Sequence, residues 1–153
     1  MNPEQERHLS EAIRLVATTP GYEAVGQELA QRKADDKITF DPNLPDRAQT
    51  ANFTHVLVLG PEAMESDTVS LAQTLVHEHH HIHQSPLEKT TSFWTGIVKR
   101  EDAMQRYEKP AYDAALRFLQ AVETAHPELA NSARSEYQMV AQAFEVNYQN
   151  PTA

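Results

Sequence analysis

Apolar residues recur along most of the chain with the spacing of α-helices. The pattern predicts a first helix from Pro3 to Thr19, which Pro20 and Gly21 end, and a shorter second helix up to Lys33. It also predicts a helix from about Glu108 to Thr124 and another that begins at Pro127. The apolar positions of these helices are the expected core: Leu9, Ala12, Ile13, Val16, Tyr22, Val25, Leu29, Ala111, Ala115, Leu116, Leu119, Val122, Leu129, Ala133, Tyr137, Val140 and Phe144.

Two segments have the composition of β-strands. Residues 38–40 are β-prone and lead into Pro42 and Pro45, so we expect a short strand followed by a loop. Residues 53–59, FTHVLVL, are rich in β-branched and apolar side chains and end at Gly60, which predicts a largely buried strand. The segment from Thr90 to Val98 follows no single pattern and is predicted to be mixed.

A further helix is predicted between the strand at residues 53–59 and the segment that begins at Thr90. Ser66 or Asp67 is suited to cap it, and the pair at positions 85–86, Ser-Pro, should stop it. Its predicted core face consists of Leu71, Ala72, Leu75 and Val76. The helix therefore includes the run of histidines at positions 77–81.

The 153 residues show no internal repeat and no linker-like change of composition. A chain of this length has room for one hydrophobic core. We therefore expect a single domain over residues 1–150, with residues 151–153 as a frayed tail. The predicted fold class is α+β, helix-rich, with a small and mostly antiparallel sheet.

Composition excludes several classes of partner. Hydrophobic residues make up 40% of the chain and charged residues 23%, as in folded globular proteins. Thirteen basic and 22 acidic residues give a net charge of −9, which opposes binding to nucleic acid and to anionic lipid. We find no apolar run long enough for membrane insertion and no signal peptide. The expected location is cytoplasmic, with signal-independent export as the open alternative; the oligomeric state is not indicated.

The histidine run contains the spacing HExxH. Cysteine is absent, so a transition-metal site would have to use His, Asp or Glu. On a helix, His81 lies about 40° around the axis from His77, so both imidazoles can reach one ion from adjacent turns. Glu78 lies at the rim of the same face, where it can act as the general base toward water.

A second pair of histidines, His79 and His83, has the same spacing. That register lacks a general base, since position 80 is His80 and not a carboxylate. This pair lies about 160 to 240° from His77, on the opposite side of the helix. Gln84 returns to the face of His77 and His81, where it can bond a ligand. The alternative interpretation is an exposed histidine run that binds metal only incidentally.

The buried strand, the short connection and the HExxH helix together resemble zincin metallopeptidases. Their subclass with the longer pattern HExxHxxGxxH is excluded, because Gln84 and Leu87 occupy its Gly and third His positions. In the gluzincin subclass a Glu from a later helix completes the metal site. Here Glu108, 27 residues after His81, begins the sequence EKPAY, which looks like the Glu-x-x-Ala-Tyr of small bacterial gluzincin-like domains.

This resemblance covers about residues 53–122 and implies a Zn²⁺ ion held by His77, His81 and Glu108. The chain departs from thermolysin-like enzymes in having Tyr107 before the proposed ligand. The competing ligands are Glu101, Asp102 and Asp113, and the alternative for Glu108 is a solvated helix charge. Tyr112 follows Glu108 by one turn and is a candidate to stabilise an oxyanion, with a partly buried core aromatic as the alternative.

The predicted function is zinc-dependent hydrolysis of peptide bonds, with Glu78 and Tyr112 as catalytic residues and a peptide or protein as substrate. Residues 53–59 are expected to form the sheet edge on which an extended peptide lies, and the segment from Ile38 to Phe40 is the next candidate. The alternative is a non-catalytic, metal-binding zincin-like module that binds a partner in the same cleft. A secreted effector that cleaves one specific protein is a further variant of the enzyme hypothesis.

Overall fold

The computed structural model describes residues 1–51, 53–84 and 108–145. Its helices are α1 (Pro3–Ala17), α2 (Glu23–Ala34), α3 (Pro61–Glu65), α4 (Thr68–Ile82), α5 (residues 108–125) and α6 (Ala130–Phe144), and a 3₁₀ turn at Pro127–Leu129 precedes α6. Its strands are β1 (Ile38–Phe40), β2 (Ala48–Thr50) and β3 (Leu57–Leu59). The predictions for Thr90–Val98, for Glu101 and Asp102 and for the tail at 151–153 lie outside the described residues.

Helix α1 begins with a complete capping box. The Asn2 side chain accepts a hydrogen bond from the Gln5 backbone N–H at 2.8 Å, and the Gln5 side chain accepts one from the Asn2 N–H at 3.0 Å. Pro3 occupies the first helical position, where its missing N–H has no partner to lose. The predicted apolar face of this helix is fully buried.

Helix α2 packs closely on α1 through a glycine. Gly26 lies against the backbone of Ala17, so a Cβ atom at position 26 would overlap Ala17. The close approach brings Leu29 into the core and places Glu28 on the side of α2 that contacts α4. Gly26 therefore fixes how near α2 lies to the rest of the fold.

The sheet differs from its prediction in two respects. Its strand order is β1-β3-β2, with β3 parallel to β1 and antiparallel to β2, so the sheet is mixed and not mostly antiparallel. The prediction that residues 53–59 form an edge strand is wrong: only Leu57–Leu59 is strand, and it is central, paired on both sides. Leu57 and Leu59 are fully buried, which explains the continuous apolar run.

The strand on the side of α4 is β2, which the sequence does not mark as a strand. It is three residues long, Ala48–Thr50, and only partly buried. Arg47, directly before it, donates to Thr74 Oγ1 at 2.7 Å and also bonds Ser70 on α4. These contacts hold the edge of the sheet beside the motif helix.

Helix α4 begins as predicted and ends slightly early. The Asp67 side chain accepts from the Ser70 N–H at 2.8 Å, which makes Asp67 the N-cap, and the helix ends at Ile82. A short helix, Pro61–Glu65, precedes it and was not predicted. Most of α4 is buried, because it packs against α1, β2 and α6. The motif helix is therefore the central element of the core.

Helices α5 and α6 complete the core beside α4. The apolar positions predicted for them are buried or partly buried, with Phe118 as an additional fully buried side chain. Glu136 of α6 accepts from Ser70 Oγ at 2.8 Å and from the Gln73 amide at 3.1 Å. These bonds join α6 to the same helix that carries the histidines.

Candidate metal centre

Three of the predicted ligands meet at one point. His77 and His81 project from successive turns of α4, and Glu108 projects from α5. The Glu108 Oε2 atom lies 3.0 Å from His77 Nε2 and 3.2 Å from His81 Nε2, and the two Nε2 atoms are 3.2 Å apart. The three potential ligand atoms thus form a nearly equilateral triangle.

This triangle matches the spacing that a tetrahedral metal ion requires. Nitrogen and oxygen ligands about 2.0 to 2.1 Å from Zn²⁺ lie roughly 3.3 Å from one another. Two imidazole nitrogens that face each other at 3.2 Å also need a proton or a cation between them, because two lone pairs repel. The group formed by His77, His81 and Glu108 could therefore hold a metal ion.

The site favours negative charge on its carboxylate and positive charge at its centre. Burial would raise the pKa of Glu108, but hydrogen bonds and charge interactions with His77 and His81 lower that pKa to about 2. Burial lowers the pKa of His81, whereas Glu108 and the nearby charge of Glu78 raise it, and the raising effect prevails. Both shifts arise largely from attraction between the Glu108 carboxylate and the imidazoles, and the low pKa keeps Glu108 ionised at neutral pH.

Gln84 orients one of the imidazoles. Its side-chain oxygen lies 2.7 Å from His81 Nδ1, at the end of α4 where the chain leaves the helix. A hydrogen bond from Nδ1–H to this oxygen leaves Nε2 as the nitrogen with the free lone pair, directed at Glu108 and His77. The sequence placed Gln84 on this face, and in the structure it bonds the potential ligand His81.

Glu78 lies next to the potential ligands, and a hydrogen bond from the sheet fixes its side chain. Only 7% of the residue is exposed, and its Oε2 atom accepts a hydrogen bond from Thr50 Oγ1 at 2.6 Å. Since Thr50 belongs to β2, the edge strand fixes the carboxylate of the motif helix. The orientation of Glu78 is thus set by a residue that the sequence analysis did not single out.

A cleft of about 620 Å³ opens over these groups. Its floor contains the three potential ligands together with Glu78, and β2 forms one wall. Helix α6 also lines the cleft, with the apolar side chains of Met139, Val140 and Ala143 and with Glu136. The cleft thus combines three potential metal ligands with a strand edge and apolar side chains.

Tyr112 lines the cleft one turn after Glu108. Its ring meets the His77 ring edge to face, with centroids 4.8 Å apart, and contacts the Phe144 ring at 5.0 Å. The residue is partly buried and packs against the core, as the alternative interpretation expected. It is therefore both a packing residue and a wall of the cleft.

The other candidate ligands lie away from the group formed by His77, His81 and Glu108. Asp113, a predicted competitor for the third ligand, pairs with Lys109 at 2.7 Å on the outer side of α5. His79 and His83 lie on the opposite side of α4 from the cleft, as their helical positions predicted, and both contact Glu28 of α2. Within the described ranges, these two His-His-Glu groups are the clusters able to hold a metal.

Sequence reasoning missed the polar residues that support the site. Thr50, Arg47 and Glu28 stand in no motif, and their partners are 28, 27 and 51 residues away in sequence. Only the pairing of β2 with β3 and the packing of α2 on α4 bring them to the histidine helix. No local signal identifies them.

Comparisons with known protein families, with curated proteins and with solved structures give no match for this chain. In the part of the chain that the structure describes, no helix is both long and apolar enough to span a membrane.

Proposed function

We propose that this chain is a zinc-dependent peptidase of the gluzincin-like type, with His77, His81 and Glu108 as metal ligands. The observation that supports it is the convergence of these ligand atoms within 3.2 Å of one another, directly beside a buried and hydrogen-bonded Glu78. Metal storage alone does not require that neighbouring carboxylate. Hydrolysis requires a general base, and Glu78 can serve as one.

The donor set suits Zn²⁺. Two imidazoles and one carboxylate are the ligands of many catalytic zinc sites, and three protein ligands leave a fourth position for water or substrate. When bound, zinc would act as a Lewis acid that polarises the scissile carbonyl and makes water a stronger acid. The side chains of the protein would carry out proton transfer and position the reacting groups.

Glu78 is the proposed proton carrier. It accepts a proton from the attacking water as the new C–O bond forms, and it delivers that proton to the amine nitrogen as the C–N bond breaks. Thr50 holds the carboxylate in position through its hydroxyl. Tyr112 keeps His77 in place by ring packing, and we propose its phenol as a donor to the developing oxyanion.

A substrate peptide would lie along β2, between the sheet edge and the apolar side chains of α6. The edge offers main-chain groups and these side chains offer apolar contact, so both backbone and side chains of an extended peptide have partners. This replaces the expectation that residues 53–59 hold the substrate, because that segment is central in the sheet.

The test combines zinc analysis with a Glu78→Gln variant. We expect the wild-type protein to retain one tightly bound zinc per chain and to cleave members of a proteome-derived peptide library, read by mass spectrometry. Glu78→Gln should keep the fold and the zinc but lose at least about 10²-fold in turnover. Loss of zinc would identify Glu78 as a ligand, and unchanged turnover would exclude it as the general base.

Matched variants test the ligands. His77→Ala with His81→Ala should remove the tight zinc, and Glu108→Gln should weaken it by at least about tenfold, since even residues that only support a ligand matter on this scale. Asp113→Asn is the control, because this carboxylate is on the same helix but pairs with Lys109. Equal effects of Glu108→Gln and Asp113→Asn would contradict the assignment.

A further inference from the structure

A second group of potential ligands lies on the opposite side of α4 from the cleft. His79 and His83 are one turn apart near the end of the helix, and their rings have centroids 4.5 Å apart. Glu28 projects toward both of them from α2. The proposed peptidase mechanism uses none of these three residues.

The distances are those of a convergent site. Glu28 Oε2 lies 2.7 Å from His79 Nε2, and His83 Nε2 lies 2.8 Å and 2.9 Å from the two carboxylate oxygens. One ligand atom from each residue lies within 4.8 Å of the others. A pair of histidines at positions i and i+4 of a helix can bind one ion together, and a carboxylate from a neighbouring helix adds a third ligand.

The carboxylate of Glu28 also pairs with an arginine of its own helix. Arg32, one turn after Glu28 on α2, places a guanidinium nitrogen 3.5 Å from Glu28 Oε1 and donates to the His55 carbonyl at 3.0 Å. Supporting bonds of this kind orient the carboxylates of metal sites. The positive charge of Arg32 also reduces the attraction of the group for a cation.

We propose that Glu28, His79 and His83 form a second Zn²⁺ site, weaker than the first, which links α2 to the end of α4. The ligand types are again two imidazoles and one carboxylate, which suit zinc. An ion at this point would bind all three side chains and thereby reinforce the existing contacts of Glu28 with His79 and His83. This proposal is independent of the peptidase activity.

Charge and exposure explain the order of the two affinities. The first site has two carboxylates, the proposed ligand Glu108 and the neighbouring Glu78. The second site has one carboxylate, Glu28, whose negative charge is partly neutralised by Arg32. The His83 side chain is 55% exposed, while the His81 side chain is 5% exposed. A solvent-exposed side chain such as His83 is less ordered before it binds an ion and loses more conformational entropy on binding. We therefore expect at least about tenfold weaker affinity at the second site.

An ion at this position would also stabilise the end of the motif helix. His83 is the C-cap of α4, and the chain continues directly to Gln84, which bonds His81. A bridge from His83 and His79 to α2 therefore opposes fraying of the turn that carries His81 and Gln84. The second ion is expected to raise the melting temperature of the protein after the first site is full.

The test is a competitive titration of the purified protein with Zn²⁺ against a chromophoric chelator, accompanied by thermal unfolding. The wild-type protein should bind two ions with separate affinities. His77→Ala with His81→Ala should leave only the weaker ion, and His79→Ala with His83→Ala should leave only the tighter one. Glu28→Gln, which preserves the size of the side chain, should weaken the second ion by at least about tenfold.

His80→Ala is the matched control, because His80 lies in the same histidine run but in neither group. It should leave both affinities unchanged. An equal loss of the weaker ion in His80→Ala and His79→Ala would show incidental binding by the run and would overturn the proposal. So would a second ion that persists unchanged in Glu28→Gln, or a His77→Ala and His81→Ala protein that folds and binds no zinc.

Discussion

The Thr50 hydroxyl donates a 2.6 Å hydrogen bond to the Glu78 carboxylate and thereby joins the edge strand to the motif helix. The two residues are 28 positions apart in sequence. The strand proposed to bind substrate and the proposed general base are thus connected by one hydrogen bond. Movement of β2 would be transmitted directly to the proposed general base.

Replacing Thr50 tests this connection. Thr50→Val has nearly the same shape but lacks the donor, so Glu78 should lose its fixed orientation while zinc binding is retained. We expect turnover to fall by about tenfold, and unfolding by urea to show a loss of roughly 1 to 3 kcal/mol, the cost of an unsatisfied buried group. Thr50→Ser retains the hydroxyl and should restore turnover. Equal turnover in the Val and Ser variants would exclude a positioning role.

The sequence predicts the motif helix well because its signals are local. The cap at Asp67, the apolar face ending at Val76 and the spacing of His77 and His81 all lie within one segment, and each is found where it was predicted. The placement of Glu108 came from a resemblance, and its approach to the histidines depends on how α5 packs on α4. That packing is a long-range property.

The sheet was predicted less well for a physical reason. Strand β2 is short, partly exposed and without apolar alternation, so nothing in Ala48–Thr50 distinguishes it from the preceding loop. The strong apolar run at Leu57–Leu59 indicated burial correctly but was assigned to an edge, although such a run is typical of a central strand. The direction of pairing with β1 depends on the connection between them and has no local marker.

A prediction for Gln84 concerns its hydrogen bond to the proposed metal ligand His81. Its oxygen accepts from His81 Nδ1, so Gln84→Leu should free the imidazole to rotate and weaken zinc binding by about 10 to 100-fold. Gln84→Glu keeps an acceptor at this position and should bind zinc at least as tightly as the Leu variant. Competitive zinc titration measures both. An unchanged affinity in Gln84→Leu would show that the bond does not orient His81.

A prediction for Gly26 tests the packing of α2. Alanine usually stabilises a helix by about 1 kcal/mol relative to glycine. Here the added methyl group would overlap the Ala17 backbone, and overpacking of this kind typically costs 1 to 3 kcal/mol. Gly26→Ala should therefore lower the free energy of unfolding, measured by urea denaturation. An increase would show that α2 is free to move away from α1.

The final prediction concerns how a peptide is held at β2. The Gly60 N–H donates to the Arg47 carbonyl and the Ala51 N–H donates to the Val56 carbonyl, and Gln49 is opposite Val58. In an antiparallel ladder, hydrogen-bonded residues alternate, so the main chain of Gln49 faces β3, whereas the N–H and C=O groups of Ala48 and Thr50 point away from it. These outward groups are the ones available to an added strand.

Hydrogen exchange of single amides distinguishes these positions. We expect the Gln49 amide to be protected already in the free protein. The proposed function predicts that the wild-type protein cleaves some peptides. Adding such a peptide to the Glu78→Gln protein should slow exchange at Ala48 and Thr50 by at least about tenfold, because new main-chain bonds form there. Gln49 serves as the internal control and should change much less. Protection that appears at the other edge of the sheet, at Ile38–Phe40, with Ala48 and Thr50 unchanged, would place the peptide on β1 and contradict the proposed substrate path.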